Sequence, residues 1–181
     1  MIIETKRLIL RKFTLFDLNA LSSIMADPEV MQFSVSGPWD RERTKKFLEE
    51  CQIDYSPKRW GYGRWAVIHK TDKQLIGFCG IARFDDVDGS PEIEIGYRLS
   101  PKYWGCGFAT EAAAATRDYA FKQLGLKRLI SMIEPENVRS IRVVEKIGMT
   151  CEKKIEKWSI PMLVYSILKT SQLKESMMVG L

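Results

Sequence analysis

Apolar residues recur along this chain with two periods, one suited to strands and one to helices. Residues 7–11 read as a strand, and residues 17–26 (DLNALSSIMA) as a helix with Thr14 or Asp17 at its cap. Asp27-Pro28 stops that helix, and residues 29–40 form a loop containing Gly37-Pro38. Residues 41–54 repeat at helical spacing, with Phe47, Leu48 and Cys51 on the apolar side. Residues 62–69 and 75–83 read as a hairpin turning at Lys70-Thr71-Asp72-Lys73. A second turn at 85–91 leads to a strand at 92–99. An alanine-rich helix at 108–123 follows, stopped by Gly125. A strand at 127–133 then leads to a helix at 137–147, with Asn137 as N-cap and Gly148 as stop. Residues 149–156 and 162–169 close the pattern as two strands, and the last dozen residues read as a fraying tail. The fold class is α/β, in the α+β sense: an antiparallel first half of the sheet, then helical crossovers.

The chain has 181 residues, 45% of them hydrophobic and 28% charged, which suits one folded domain. No apolar run approaches the ~18 residues of a membrane span, and the start has no signal-like block, so a cytoplasmic protein is expected. Cys51, Cys79, Cys106 and Cys151 are widely spaced and accompanied by one histidine, His69. That argues against a zinc site and against Ser-His-Asp or Cys-His catalysis. His69 itself reads as a solvated surface residue. Residues 1–121 carry equal numbers of acidic and basic side chains, so the net charge of +5 arises in residues 122–181. A basic C-terminal third fits a phosphorylated cofactor. No basic run interleaved with aromatics points to nucleic acid.

The chemistry concentrates in EIEIGYRLSPKYWGCGFATEAAAA, residues 92–115. A strand enters a short loop with two glycines, and a helix of small residues follows. Glycines let a ligand approach the backbone, and a helix N-terminus presents free amides and partial positive charge to phosphate. A dinucleotide fingerprint fits poorly. Five residues separate strand and first glycine, and Thr110 takes the third glycine position. No Gly-Lys-Ser/Thr follows for a Walker loop. A bare glycine turn before an ordinary helix is the other reading of the pair alone.

Lys102-Tyr103-Trp104-Gly105-Cys106-Gly107-Phe108-Ala109 resembles the Gln/Arg-x-x-Gly-x-Gly/Ala loop of the GNAT N-acetyltransferases, with Lys102 in the first place. YWGCGFATEA is similar to the branch holding the ribosomal-protein N-terminal (alanine/serine) acetyltransferases. So are GYGRWAVIHKTDKQLIGFCGI (61–81), ENVRSIRVVEKIGM (136–149) and ADPEVMQF (26–33). The resemblance spans about residues 5–169 of a single domain covering 1–181, with 170–181 as tail. It implies a mixed seven-stranded sheet with about four helices. It also implies acetyl-CoA as donor, no metal, an amine acceptor, and a monomer or homodimer. Neither a nucleic acid nor a membrane is implied.

The resemblance further implies site residues. Backbone groups of Leu99, Gly105, Cys106, Gly107, Phe108, Ala109 and Thr110 would hold the cofactor, helped by Lys102 and Arg142. Asn137 and Ser140 would meet the pantetheine arm and the sulfur. Glu94 is the expected base, with Glu92 on the same strand face as its rival; either carboxylate could instead be a surface group. Leu99 N–H would polarise the thioester, and Ser140 would donate to the thiolate. Val144 replaces the tyrosine that many members use as acid. Phe33 and Trp39 would wall the acceptor cleft. Asp85, Asp86, Asp88, Glu92 and Glu94 form an acidic stretch expected to attract a cationic acceptor. The acceptor expected here is an α-amino group at a protein or peptide N-terminus. A small-molecule amine (amino acid, polyamine or aminoglycoside) and a non-catalytic acyl-CoA-binding module are the alternatives.

Overall fold

The computed structural model describes residues 2–56 and 62–169. Gly61 of the 61–81 motif and the tail from 170 to 181 lie outside the described residues. The elements in chain order are β1 (Ile3–Glu4), β2 (Leu8–Arg11), α1 (Leu18–Met25), α2 (Arg41–Asp54), β3 (Arg64–His69) and β4 (Leu75–Val87). They continue with β5 (Ser90–Leu99), α3 (Phe108–Lys122), β6 (Arg128–Ile133), α4 (Val138–Lys146), β7 (Thr150–Lys157) and β8 (Ile160–Leu168).

The strands form one mixed eight-stranded sheet in the order β1-β2-β3-β4-β5-β6-β8-β7. The extra strand over the expected seven is the two-residue β1, which pairs with β2 at Ile3–Leu10 and Glu4–Ile9. It is too short to show any alternation in sequence. Among the described residues only β5 and β6 run parallel, joined by the α3 crossover, and every other neighbour is antiparallel.

Each helix has a local reason to start where it does. Asp40 caps α2, its side chain accepting from Arg43 N–H at 2.7 Å. Asn137 caps α4 through Ser140 N–H at 3.2 Å. Ahead of α1, Thr14 and Asp17 form a capping box on a short 3-10 turn. Asp17 is buried there. It can stay ionised because Arg11 grips both carboxylate oxygens at 2.7 and 2.8 Å, and Thr14 N–H donates a third bond. Burial pushes its pKa up, but these bonds outweigh burial and hold it below the usual carboxylate range.

Strand alternation decides which helices cover which face. Phe78 packs on Phe47 of α2 at a ring distance of 5.4 Å. Its neighbour Cys79 points the other way, with Sγ 3.4 Å from Thr116 Oγ1 of α3. So α1 and α2 lie on the Phe78 face, and α3 and α4 on the Cys79 face. Ala112, Ala113 and Ala120 are fully buried, so α3 sits close to the sheet. A continuous core runs through both layers, with Trp65, Leu8, Leu10, Ile76, Ile81 and Leu129 at its centre.

Candidate active site

The one parallel pair is also where the sheet opens. β5 and β6 are in register only at Glu94–Ile130. Ser131 Oγ donates to Ile95 carbonyl at 2.8 Å just beyond that point. The two strands then part. The resulting cleft, about 940 Å3, is lined by residues of the α1–α2 loop, α2, β3, β4, β5, the loop before α3, β6 and α4.

The end of β5 presents its backbone to this cleft. Ser100 N–H donates to Ile76 carbonyl at 2.8 Å, so Ser100 faces β4. Its neighbour Leu99, opposite Gly77, must therefore turn its N–H and carbonyl away from β4. The carbonyl accepts Trp104 Nε1–H at 2.7 Å, and the N–H faces the gap. By the same alternation Tyr97 N–H points there too.

Past Leu99 a turn at Pro101–Tyr103 leads to Gly105 and Gly107. Both adopt left-handed backbone, φ 72° and 78°, a conformation glycine takes without penalty. Gly107 is the N-cap of α3, and its carbonyl accepts Glu111 N–H at 3.0 Å. The amides of Phe108, Ala109 and Thr110 precede that first helical bond and are left free. Glu111 is not used as a cap. It accepts from Thr5 Oγ1 at 2.6 Å, Arg7 N–H at 2.9 Å and Arg7 Nε–H at 2.6 Å, while Arg7 Nη1 donates to Cys106 carbonyl at 2.9 Å. The start of α3 and its loop are thus tied to the N-terminal strands.

Glu94 and Glu92 leave β5 on one face but have different surroundings. Arg128 of β6 donates to both oxygens of Glu92 at 3.0 and 3.1 Å. Glu92 stays outside the cleft lining, held by that pair. Glu94 lines the cleft and accepts Met132 N–H at 3.2 Å. Burial raises its pKa, and Met132 N–H with the nearby Arg64 and Arg98 only partly offset this. Across the gap, Ser140 lies in the first turn of α4. Its carbonyl accepts the Tyr97 hydroxyl at 3.1 Å. Burial pushes the Tyr97 pKa up, so that hydroxyl keeps its proton. Val144 is fully buried and supplies no acid from α4.

The other wall is aromatic. Trp39 packs on Phe47 with tilted rings 5.3 Å apart, and Phe33 lines the same side. Trp39 N–H donates to Met25 carbonyl at 2.9 Å, which fixes the loop against α1. Among the described residues no cluster of His, Cys, Asp and Glu side chains suited to a metal is found.

A family model described as an acetyltransferase (GNAT) domain matches residues 7–150. The chain belongs to the GNAT acetyltransferases. This acetyltransferase is 35% identical over 150 residues to YnaD, an N-acetyltransferase of Bacillus subtilis (strain 168), covering 83% of each chain. It is 33% identical to a GNAT-family acetyltransferase of Bacillus anthracis whose crystal structure it matches with a TM-score of 0.77, over 93% of this chain and 98% of that one. A spermidine N-acetyltransferase from Vibrio cholerae, solved with CoA and spermine, shares the fold at TM-score 0.74 and 20% identity, over 91% and 96% of the two chains.

GNAT enzymes use acetyl-CoA, and the residues of this acetyltransferase fit such a donor. Free amides at the start of α3 suit a pyrophosphate. Arg139, Arg142 and Lys146 line the α4 side of the cleft and add positive charge. Arg139 also lies over the Trp104 ring, 4.7 Å from its centroid.

Of the residues expected at the site, Glu94, Leu99, Gly105, Gly107, Phe108, Ala109, Thr110, Asn137, Ser140, Arg142, Phe33 and Trp39 all line the cleft. Glu92, Lys102 and Cys106 do not. Lys102 lies over the Tyr103 ring at 5.4 Å, and Cys106 faces solvent. Most of the acidic stretch lies outside the cleft lining. Asp88 pairs with Lys153 at 2.7 Å, Asp85 with Arg83 at 2.9 Å, and Lys157 donates to Asp86 carbonyl at 2.6 Å. Of that stretch Glu94 alone reaches the cleft. His69 is not solvated either: its side chain is 15% exposed, bonded to Asp72 at 2.7 Å and set against Phe108 at 4.9 Å. Arg64, Arg98 and Tyr97 also line the cleft, and sequence patterning did not single them out.

Proposed function

We propose that the enzyme transfers the acetyl group of acetyl-CoA by direct attack of a primary amine, and that the amine is an α-amino group, as at a protein or peptide N-terminus. One observation carries this reading: the Glu94 carboxylate is held half-buried beside the point where β5 and β6 part, with its pKa raised. A base of that kind takes a proton from an attacking amine near neutral pH. The Leu99 N–H, turned toward the gap, would stabilise negative charge growing on the thioester oxygen. As the new C–N bond forms, the C–S bond breaks. The amine proton goes to Glu94, and the thiolate is met by the Ser140 hydroxyl or by water that it orders.

The α-amine fits a site without histidine in the cleft and without tyrosine on α4. Its pKa of about 7.7–8.0, against about 10.4 for lysine, leaves a useful neutral fraction near pH 7. The test is free-CoA release with peptides bearing free N-termini, N-acetylated lysine peptides and spermidine. The expected result is the highest kcat/KM for free N-termini. Faster turnover with blocked, lysine-containing peptides or with spermidine would overturn the α-amine assignment.

A further inference from the structure

Three strands build the acceptor side of the cleft in register. Ala82 lies opposite Glu94, Gly80 opposite Gly96, and Phe78 opposite Arg98. On the far side of β4, Arg64 lies opposite Gly80. Registered partners share a face, so Glu94, Gly96, Arg98, Gly80 and Arg64 all look the same way. Two rows of side chains, one ending in a carboxylate and one in a guanidinium, flank a central row of two glycines. Arg64 reaches in from the end of that bare row. The Glu94 carboxylate leans along the strand toward it, with Oε2 3.8 Å from where a Cβ on Gly96 would stand.

The charge here is unbalanced. Arg98 is half-buried, and among the described residues its guanidinium donates one hydrogen bond, from Nη1 to the thioether of Met31 at 2.9 Å. A thioether is a weak acceptor for a group with five N–H donors. Arg64 has an aromatic neighbour, Phe47 at 5.8 Å, and no carboxylate partner among the described residues. On this face of the sheet, two guanidinium groups accompany the one carboxylate of Glu94, while Glu50 and Glu29 of the cleft pair with Arg43 and Arg139. Burial and the positive charge of Arg64 pull the Arg98 pKa down to about 10, against the pull of Glu94. Like-charged groups held in a cleft are costly unless an anion joins them. Guanidinium is also the side chain whose fork matches a carboxylate.

We propose that the acceptor amine carries a carboxylate, and that Arg98, supported by Arg64, binds this carboxylate while Glu94 receives the amine. Two rows of a strand separate Glu94 from Arg98, about 13 Å between Cα atoms at ~3.3 Å per residue. The Glu94 carboxylate leans toward Gly96, which shortens the span between the two heads. That matches an α-amino acid, or a peptide N-terminus whose first residue is acidic. A polyamine would instead meet two cations. The proposal rests on the acetyltransferase reading and adds the recognition element to it.

The experiment compares kcat/KM within matched sets. One set is L-phenylalanine, its amide and phenethylamine. The other is a peptide beginning with Asp and the same peptide beginning with Asn. Spermidine is the cationic reference. In wild type, at least one carboxylate-bearing acceptor is expected to exceed its neutral analogue by about 30-fold or more. The set in which this occurs tells a free amino acid from an acidic peptide. In Arg98→Met that ratio is expected to fall toward one, and Arg98→Lys is expected to recover part of it. Acetyl-CoA affinity in both variants is expected to stay within a few-fold of wild type. Ratios near one in wild type, a preference for spermidine, or a ratio that Arg98→Met leaves unchanged would each overturn the proposal with acetyl transfer intact. Acetyl-CoA binding without CoA release for any amine would overturn the acetyltransferase reading and the proposal with it.

Discussion

Replacing Glu94 with glutamine is expected to lower kcat by ~10²-fold or more while acetyl-CoA affinity stays within a few-fold of wild type. The substitution keeps size and the ability to accept Met132 N–H, and it removes only the proton acceptor. A second, independent signature lies in pH dependence. The Glu94 pKa is raised above its ordinary value, so the basic form gives way to the protonated form at a higher pH than for a solvated carboxylate. The wild-type kcat/KM profile should therefore lose activity on the acid side through that pKa as well as through the pKa of the amine, and Glu94→Gln should keep only the limb that belongs to the amine. The sign for stability is the reverse. A carboxyl whose folded pKa is raised adds stability below its unfolded pKa and loses it as pH rises through the folded one. At neutral pH the ionised Glu94 is a burden on the fold, and Glu94→Gln should melt at the same or a higher temperature. Glu92→Gln should have the opposite profile: normal turnover, with lower stability from the loss of its pair with Arg128. A crippled Glu92→Gln beside a normal Glu94→Gln would show that the base has been misassigned.

Gly107→Val is the second large effect, expected to weaken acetyl-CoA binding by about 10-fold or more with the fold retained. Valine at φ 78° is strained by roughly 1–3 kcal/mol, enough to shift the loop and disturb the amides of Phe108, Ala109 and Thr110. The added side chain meets no wall, because a Cβ there has only Arg7 Nη2 within 4 Å, at 3.5 Å. A fold of typical stability, about 5–15 kcal/mol, tolerates this. Gly125 provides the control. It has φ 69° and open space around its Cβ position, but it lies beyond the opposite end of α3. Gly125→Val carries similar backbone strain and should bind acetyl-CoA like wild type, as read by calorimetry. A Gly107→Val protein that also binds like wild type would displace the donor from this loop.

Most elements were legible because their signals are local. The span 41–54 is recovered residue for residue, since Asp40 is a strong cap and the apolar stripe of Phe47, Leu48 and Cys51 has one period. The reversal is shorter than the turn that residues 85–91 suggest. β4 runs on to Val87, and the reversal is only Asp88-Gly89, both at positive φ, the tight hairpin form whose right-handed twist suits its strands. Two aspartates at 85 and 86 looked like loop but lie on a strand, with a register shift between Phe84 and Val87. The glycine loop and the helix caps of the site were equally local. What lay hidden needed partners far apart in sequence. Alternation alone could not separate Glu92 from Glu94, because the difference is Arg128 on another strand. The acidic stretch reads as a lure for cations in sequence, whereas its contacts with β7, Lys153 on Asp88 and Lys157 on the Asp86 carbonyl, are visible only in the fold. The placement of Arg64 at the end of the glycine row, one row from Arg98, depends on the register of three strands.

The central claim, direct transfer from acetyl-CoA to an amine at Glu94, is tested most directly by intact-mass measurement of the enzyme with acetyl-CoA, before and after the best acceptor is added. Direct attack predicts unmodified protein and negligible CoA release without the amine, then CoA and acetylated amine appearing in equal amounts. An acetyl group found on the protein before the amine arrives, and lost to the amine afterwards, would contradict it.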